Sequence, residues 1–183
     1  MDIEKFAYDT LLEEQVRGVC RDYSIKNIVE TGTWIGGTTQ ALSTMAEHVY
    51  TIEINKEFYD TAKTNLNRYS NITQYLGSSV NILPYIFPLL NYPTFFYLDA
   101  HWGGTPLLTE IDLIAKAVPN PVIMIHDFQV PNRPELKWDN YNCQPYCFEW
   151  IKPHLDNIKT PWRHFYNSEA TGCKVGVIFI VPK

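Results

Sequence analysis

The chain has 183 residues, of which 45% are hydrophobic and 19% charged, with a formal net charge of −5. That is the size and balance of a soluble globular protein with a full core, which excludes a disordered chain. The acidic balance, with Lys and Arg scattered, argues against a general affinity for nucleic-acid backbone. The opening "MDIEKFAYDT" lacks the basic-then-apolar order of a signal peptide. No apolar run approaches the roughly 20 residues of a membrane span, so a cytoplasmic protein with no membrane partner is expected. Cys20, Cys143, Cys147 and Cys173 are then expected as reduced thiols. Cys143 and Cys147, with His154 and His164 following, fit no standard zinc spacing.

In chain order, Ile3, Phe6, Leu11, Leu12, Val16 and Val19 form a loose helical stripe over the first 20 residues. "KNIVET" reads as a first strand, "TQALSTMAEH" as a helix and "HVYTIEI" (48–54) as a second strand. Asn55 can cap the next helix, whose Phe58, Ala62 and Leu66 share a face. "NITQYL" (71–76) is a third strand, and Pro84 and Pro88 make any helix in "SVNILPYIFPLL" short or broken. "TFFYLDA" (94–100) is a fourth strand. Thr105 and Pro106 then read as the cap and first residue of a helix striped by Leu107, Ile111, Ile114, Ala115 and Val118. "PVIMIHD" (121–127) is a fifth strand, 128–143 is irregular, and a helix is expected over 145–158. The end, "RHFYN", a turn near Gly172 and "KVGVIFIV" (174–181), reads as two strands joined closely enough to pair antiparallel. Strands alternating with helices predict one α/β domain over 1–183, a doubly wound, mostly parallel sheet with helices on both faces and an antiparallel strand at the end.

The turn after the first strand, "ETGTWIGGTT", carries the chemistry. In this fold, ligands bind beyond the carboxyl ends of the strands, where the strand order reverses. Gly32, Gly36 and Gly37 let backbone approach a ligand, and Thr38 and Thr39 open a helix whose free amides suit a polar group. Glu53 ends the second strand 21 residues after Gly32, where a carboxylate can accept the hydroxyls of a ribose. The glycine spacing departs from the G-x-G-x-x-G of a dinucleotide site. Glu30 would repel a pyrophosphate and attract a cationic amino-acid moiety, which favours S-adenosylmethionine (SAM), with its sulfonium and ammonium groups.

With "VETGTWIGGTT", "YTIEIN", "LGSS", "FFYLDAHW" and "VIMIHDF" in this order, the chain resembles the class I SAM-dependent methyltransferases. The likeness is strongest to the small-molecule O-methyltransferase branch that includes catechol O-methyltransferase-like and macrolide-sugar methyltransferase-like enzymes. The resemblance implies a seven-stranded sheet with an antiparallel last strand beside the fifth. It implies that Glu30, Gly32, Thr33 and Gly36 surround the methionine part of SAM, beside Gly37 and Thr38. Glu53 would hold the ribose and Ile54 lie on the adenine. Gly77, Ser78 and Ser79 would stand where many relatives place an aspartate that meets the adenine amino group. Asp99 would lie beside the reacting methyl.

A hydroxyl acceptor must lose its proton to a base or to a metal-lowered pKa. Asp99 and His101 follow the fourth strand, and His126 and Asp127 end the fifth, so the four can converge. His101 is the preferred base, and His126 reads as a histidine bonded within the core. In metal-dependent relatives, an aspartate after the fourth strand and an Asp-Asn or Asp-Asp pair after the fifth bind magnesium. Asp99 and Asp127 match, but Phe128 stands in the third ligand's place, so a divalent metal such as Mg is left open. Segment 128–158 is expected on the acceptor side, with Trp138, Tyr141 and Trp102 as an apolar wall or as loop packing. No room for a further domain is expected, so the acceptor is expected to be small, and the N-terminal helix is a candidate lid or homodimer contact. Competing readings are an NAD(P)-dependent oxidoreductase and a cofactor-binding module without chemistry.

Overall fold

The structure, a computed structural model, describes residues 4–90, 93–100 and 105–183. Ile3, His101 and Trp102, to which the sequence gives roles, lie outside the described residues. The strands are β1 (Asn27–Thr31), β2 (His48–Glu53), β3 (Ile72–Leu76), β4 (Thr94–Leu98), β5 (Val122–Ile125), β6 (Asn140–Tyr141), β7 (Gln144–Pro145), β8 (Trp162–Tyr166) and β9 (Ile178–Pro182). The helices are α1 (Thr10–Asp22), α2 (Gly37–Leu42), α3 (Lys56–Asn65), α4 (Ser79–Ile86), α5 (Leu107–Ala117) and α6 (Phe148–Leu155). Seven strands form one sheet in the order β3-β2-β1-β4-β5-β9-β8. β3, β2, β1, β4 and β5 run parallel, whereas β9 is antiparallel to both β5 and β8.

The period of two along each central strand divides the core in two. Phe95 and Tyr97 of β4, Val122 and Met124 of β5 and Phe179 of β9 pack under α1, with its Leu12 and Val16. Phe96 and Leu98, Ile123 and Ile125, and Ile178 and Ile180 face the opposite way, under α4, α5 and α6. Strands covered on both faces must be apolar on both, which is why these segments read as unbroken hydrophobic runs.

Several boundaries differ from the sequence expectation, each for a local reason. Helix α1 starts at Thr10 instead of running through the first residues. Asp9 caps it, accepting from the Leu11 and Leu12 amides at 3.0 Å each. Phe6, Ala7 and Tyr8 are a tight turn at positive φ, in which Phe6 enters the core and its N–H donates to Thr38 Oγ1 at 2.9 Å. Helix α2 stops early because the Ser43 and Thr44 hydroxyls donate back to the Gln40 and Ala41 carbonyls, both at 2.8 Å. Pro106 stands one residue outside α5, and Thr105 does not cap it; its hydroxyl meets that of Tyr146 at 2.6 Å. Helix α6 is shorter than expected because Gln144 and Pro145 pair with β6. Among the described residues, no helix is long and apolar enough to cross a membrane.

Asp9 also ties the two ends of the chain together, since the same oxygen accepts from the Thr171 amide at 3.1 Å and its hydroxyl at 2.9 Å. Asp9→Ala should therefore cost about 2 kcal/mol, the upper end for a lost helix cap. Asp9→Asn should cost less than half of that. Denaturant midpoints of the two variants check this, and equal midpoints for Asp9→Ala and the parent would refute it.

Candidate functional site

A cleft of 870 Å³ opens beyond the carboxyl ends of β1, β2, β4 and β5, at the point where the sheet order reverses. Gly32, in its wall, has φ +90°; a Cβ there would stand 2.6 Å from the Asp99 carbonyl oxygen. Gly32 and Thr33 both donate their amides to the Ile52 carbonyl, at 2.9 and 3.2 Å, so the turn after β1 is fastened to the end of β2. Gly36, at φ +88°, begins α2 and packs against the Leu66 side chain.

Glu53 stands in the wall. It is buried, with Oε2 accepting from the Trp34 amide at 2.7 Å and Oε1 from the Asn55 amide at 2.8 Å. Each carboxylate oxygen keeps a lone pair for a ligand hydroxyl. Ile54 beside it is 63% exposed in the cleft rim, an apolar plate free to take a flat ring. Gly77, Ser78 and Ser79 form the facing edge. Thr33, Gly37 and Thr38 also line the cleft.

Glu30 and Gly36 do not line the cleft. The Glu30 carboxyl lies behind the turn, fully buried, where Oε2 accepts from the hydroxyls of Thr39 and, at 2.6 Å, of Thr51. Oε1 has no partner. Burial pushes its pKa up to about 8, against the pull of the two threonine hydroxyls. At neutral pH the group is mostly protonated, so it braces the turn instead of presenting a charge.

At the ends of β4 and β5, three side chains converge. Asp99, His126 and Asp127 offer ligand atoms that all lie within 4.8 Å of one another. His126 Nδ1 is 3.3 Å from Asp99 Oδ1 and 3.1 Å from Asp127 Oδ2, and the ring stacks on Tyr97 with centroids 6.0 Å apart. Burial alone would lower the imidazole pKa, but the Asp99 and Asp127 carboxylates hold it well above its ordinary value. His126 is thus both a buried core histidine and a member of the centre. Asp127 adopts φ +53°, a region asparagine and aspartate tolerate best. His101 is outside the described residues.

A magnesium ion needs oxygen donors in near-octahedral array. Here the imidazole occupies the space between the two carboxylates, and Phe128 in the third position is fully buried and stacked with Tyr166. Among the described residues, two carboxylates and one imidazole do not make up an all-oxygen magnesium site. The zinc grouping does not assemble either. His154 meets Asp112 at 2.9 Å, His164 stacks on Phe148 with centroids 4.1 Å apart, and Cys143 is an exposed free thiol.

One residue escaped the sequence reading. Glu110, fully buried on α5, faces the Ser79 and Thr31 hydroxyls just behind the cleft, with neither oxygen in a hydrogen bond of ordinary geometry. Burial pushes its pKa up to about 7. Its spacing was the signal: 107, 110, 111 and 114 share one helix face, so a carboxyl falls inside an apolar stripe. On the acceptor side Tyr141 reaches the cleft, whereas Trp138 is half-buried and does not line it. Glu4 and Ala7 close the cleft from the N-terminal turn.

No family model and no curated protein matches the chain. Solved structures do, and they show that it has a Rossmann-like methyltransferase fold. An O-methyltransferase from Bacillus cereus, in complex with SAH, superposes with a TM-score of 0.69 at 20% identity, over 95% of this chain and 81% of that one. TomG from Streptomyces achromogenes, an O-methyltransferase of tomaymycin synthesis in complex with SAM, gives 0.67 at 15%, over 94% and 79%. Precorrin 8w decarboxylase from Methanobacterium thermoautotrophicum gives 0.57 at 15%, over 92% and 89%. Identities of this size establish the fold alone.

The buried Glu30 makes stability depend on pH. The unfolded chain releases this proton near the ordinary value of 4.5, while the folded chain holds it to about 8. Between those values the folded state binds the extra proton, so this contribution favours folding most at the acid end and fades as pH rises to about 8. Glu30→Gln keeps an acceptor for the threonine hydroxyls and should flatten the slope. Above that range it should be the more stable form by on the order of a few kcal/mol. Denaturant melts across the range measure it, and an unchanged slope would remove the assignment.

Proposed function

We propose that the protein is a SAM-dependent methyltransferase that methylates a hydroxyl oxygen of a small molecule or sugar. The observation that carries this reading is Glu53, a buried carboxylate at the end of β2 that lines the cleft and is held by two backbone amides. It is placed to accept the two hydroxyls of a ribose. The likeness to structures in complex with SAM or SAH supports the same cofactor.

In this reading Ile54 lies against the adenine on one side, and Gly77, Ser78 and Ser79 bound it on the other. Gly32, Thr33, Gly37 and Thr38 shape the part of the cleft that takes the methionine end, with Glu30 and Gly36 supporting them from behind. Bound there, SAM would supply a methyl group on a sulfonium, and transfer leaves SAH, the sulfur keeping the electron pair of the broken C–S bond. The acceptor oxygen forms the new C–O bond and gives up its proton. Asp127, oriented by His126, takes that proton, and Asp99 lines the reacting centre beside it. His101, two residues beyond Asp99, is the second candidate base. The chain's main contribution is alignment, since a sulfonium leaves readily once nucleophile, carbon and sulfur are in line. Segment 128–158 forms the acceptor side, with Tyr141 in the cleft wall.

Calorimetric titration should show SAM and SAH binding and no binding of a nicotinamide dinucleotide. Glu53→Ala should weaken SAH binding roughly 10- to 100-fold, the worth of charge-assisted hydrogen bonds, with the circular dichroism of the fold retained. Unaltered affinity in that variant would sink the ribose assignment. Methyl transfer from SAM, followed by mass spectrometry, is the turnover test.

A further inference from the structure

We infer that the N-terminal turn, Phe6–Tyr8, is a clasp that completes the methionine end of the cleft, with Phe6 positioning the cofactor through Thr38. The inference rests on the methyltransferase reading and adds a part of the chain to that same site.

The backbone of this segment is unusual. Phe6, Ala7 and Tyr8 take φ values of +49°, +51° and +59° in succession, a left-handed turn that residues with a Cβ adopt at a cost. The turn closes on itself, with the Tyr8 amide donating to the Lys5 carbonyl at 2.9 Å and the Asp9 amide to the Phe6 carbonyl at 2.8 Å. Backbone in such a region persists only where its surroundings impose it, and ligand clamps are among the places where it collects. The surroundings here are the cleft itself. Glu4 and Ala7 line it, and so do Thr38 and Tyr97, the two residues that receive Phe6.

The inner grip on the turn is Phe6, which is 1% exposed, with its ring edge-on to Tyr97 at a centroid distance of 5.8 Å. Its N–H donates to Thr38 Oγ1 at 2.9 Å. That amide takes a lone pair of the hydroxyl oxygen, which favours the hydroxyl as a donor toward a ligand. The methionine part of SAM ends in a carboxylate, an acceptor. The outer grip comes from the far end of the chain. The Cys173 amide donates to the Ala7 carbonyl at 3.0 Å, and Thr171 bonds Asp9 directly after the turn. Gly172, between them, lies so close that a Cβ would stand 2.4 Å from the Ala7 carbonyl oxygen. Gly172 is exposed and does not line the cleft. A substitution there pushes on the clasp and leaves the cleft-lining side chains as they are.

The test compares SAH with methylthioadenosine, which keeps the nucleoside and the sulfur but lacks the amino-acid arm. Both are titrated by calorimetry into the parent protein, Gly172→Ala, Thr38→Val and the double variant. Gly172→Ala should weaken SAH roughly tenfold and change methylthioadenosine by less than about twofold. In the Thr38→Val background the same substitution should cost SAH much less, because the clasp acts through that hydroxyl. If Gly172→Ala does not fold, Phe6→Ala loosens the turn from inside and should show the same SAH-selective loss. Undiminished SAH affinity in the folded variant, an equal loss of both ligands, or full additivity with Thr38→Val overturns the inference. A parent protein that binds no SAH refutes the methyltransferase reading and the clasp with it, whereas a parent that binds SAH and a variant that binds it equally well refute the clasp alone.

Discussion

Everything at the cleft depends on how closely the ends of β1 and β4 approach. The parallel register sets Thr31 opposite Leu98, and the Asp99 amide donates to the Thr31 carbonyl at 3.0 Å. The chain then diverges, β1 into the turn that reaches β2 and β4 toward the acceptor side. Gly32 must fit at that fork, against the Asp99 carbonyl, where any Cβ would collide with backbone that cannot move aside. The fork thus fixes Asp99 relative to the turn that carries Trp34, and the Trp34 amide in turn fixes Glu53. Main-chain contacts thus set the positions of two cleft-lining carboxylates, and the Asp99 carboxylate also meets the His126 ring. Main chain in a sheet is the stiffest support a protein offers, and catalysis by alignment requires that stiffness.

Burial sorts the carboxyls of this region by charge. Glu30 and Glu110, behind the wall, are pushed upward to about 8 and about 7 because water is absent. Each also feels Asp99, whose charge opposes a second ionisation nearby. Glu53, by contrast, lines the cleft and accepts two amide hydrogens. The result is a layered site: carboxyls whose burial favours the protonated form stand behind, and Glu53, Asp99 and Asp127 line the cleft in front. Behind the wall, Glu30 braces the turn through the Thr39 and Thr51 hydroxyls.

Much of this was legible in the sequence because the fold repeats one pattern, and local chemistry reported each step. Asn55 as a cap, the β-branched strands, and the glycines after the first strand all follow from single-residue preferences. Where the reading slipped, the deciding partner was remote in sequence. Phe6 left the helical stripe because Thr38 and the core claimed it, and Thr105 left its capping role for Tyr146. Glu30 was placed by sequence beside the cofactor, yet its hydroxyl partners lie on α2 and β2, which turn it inward. His126 was read as either core or site. It is both, a distinction that only the meeting of β4 and β5 can resolve.

A fold shared by methyltransferases and a precorrin decarboxylase cannot by itself select a reaction; the side chains at its open end do that. Here the side chains that meet at that end are Asp99, His126 and Asp127. A divalent cation between two carboxylates would polarise an acceptor oxygen, and it would also neutralise both of them. The His126 ring lies against both carboxylates, at 3.3 and 3.1 Å, and its Nε2 has no hydrogen-bond partner among the described residues. In the proposed reaction, with Phe128 where a third oxygen ligand would stand, proton transfer to a carboxylate takes the place of Lewis-acid polarisation.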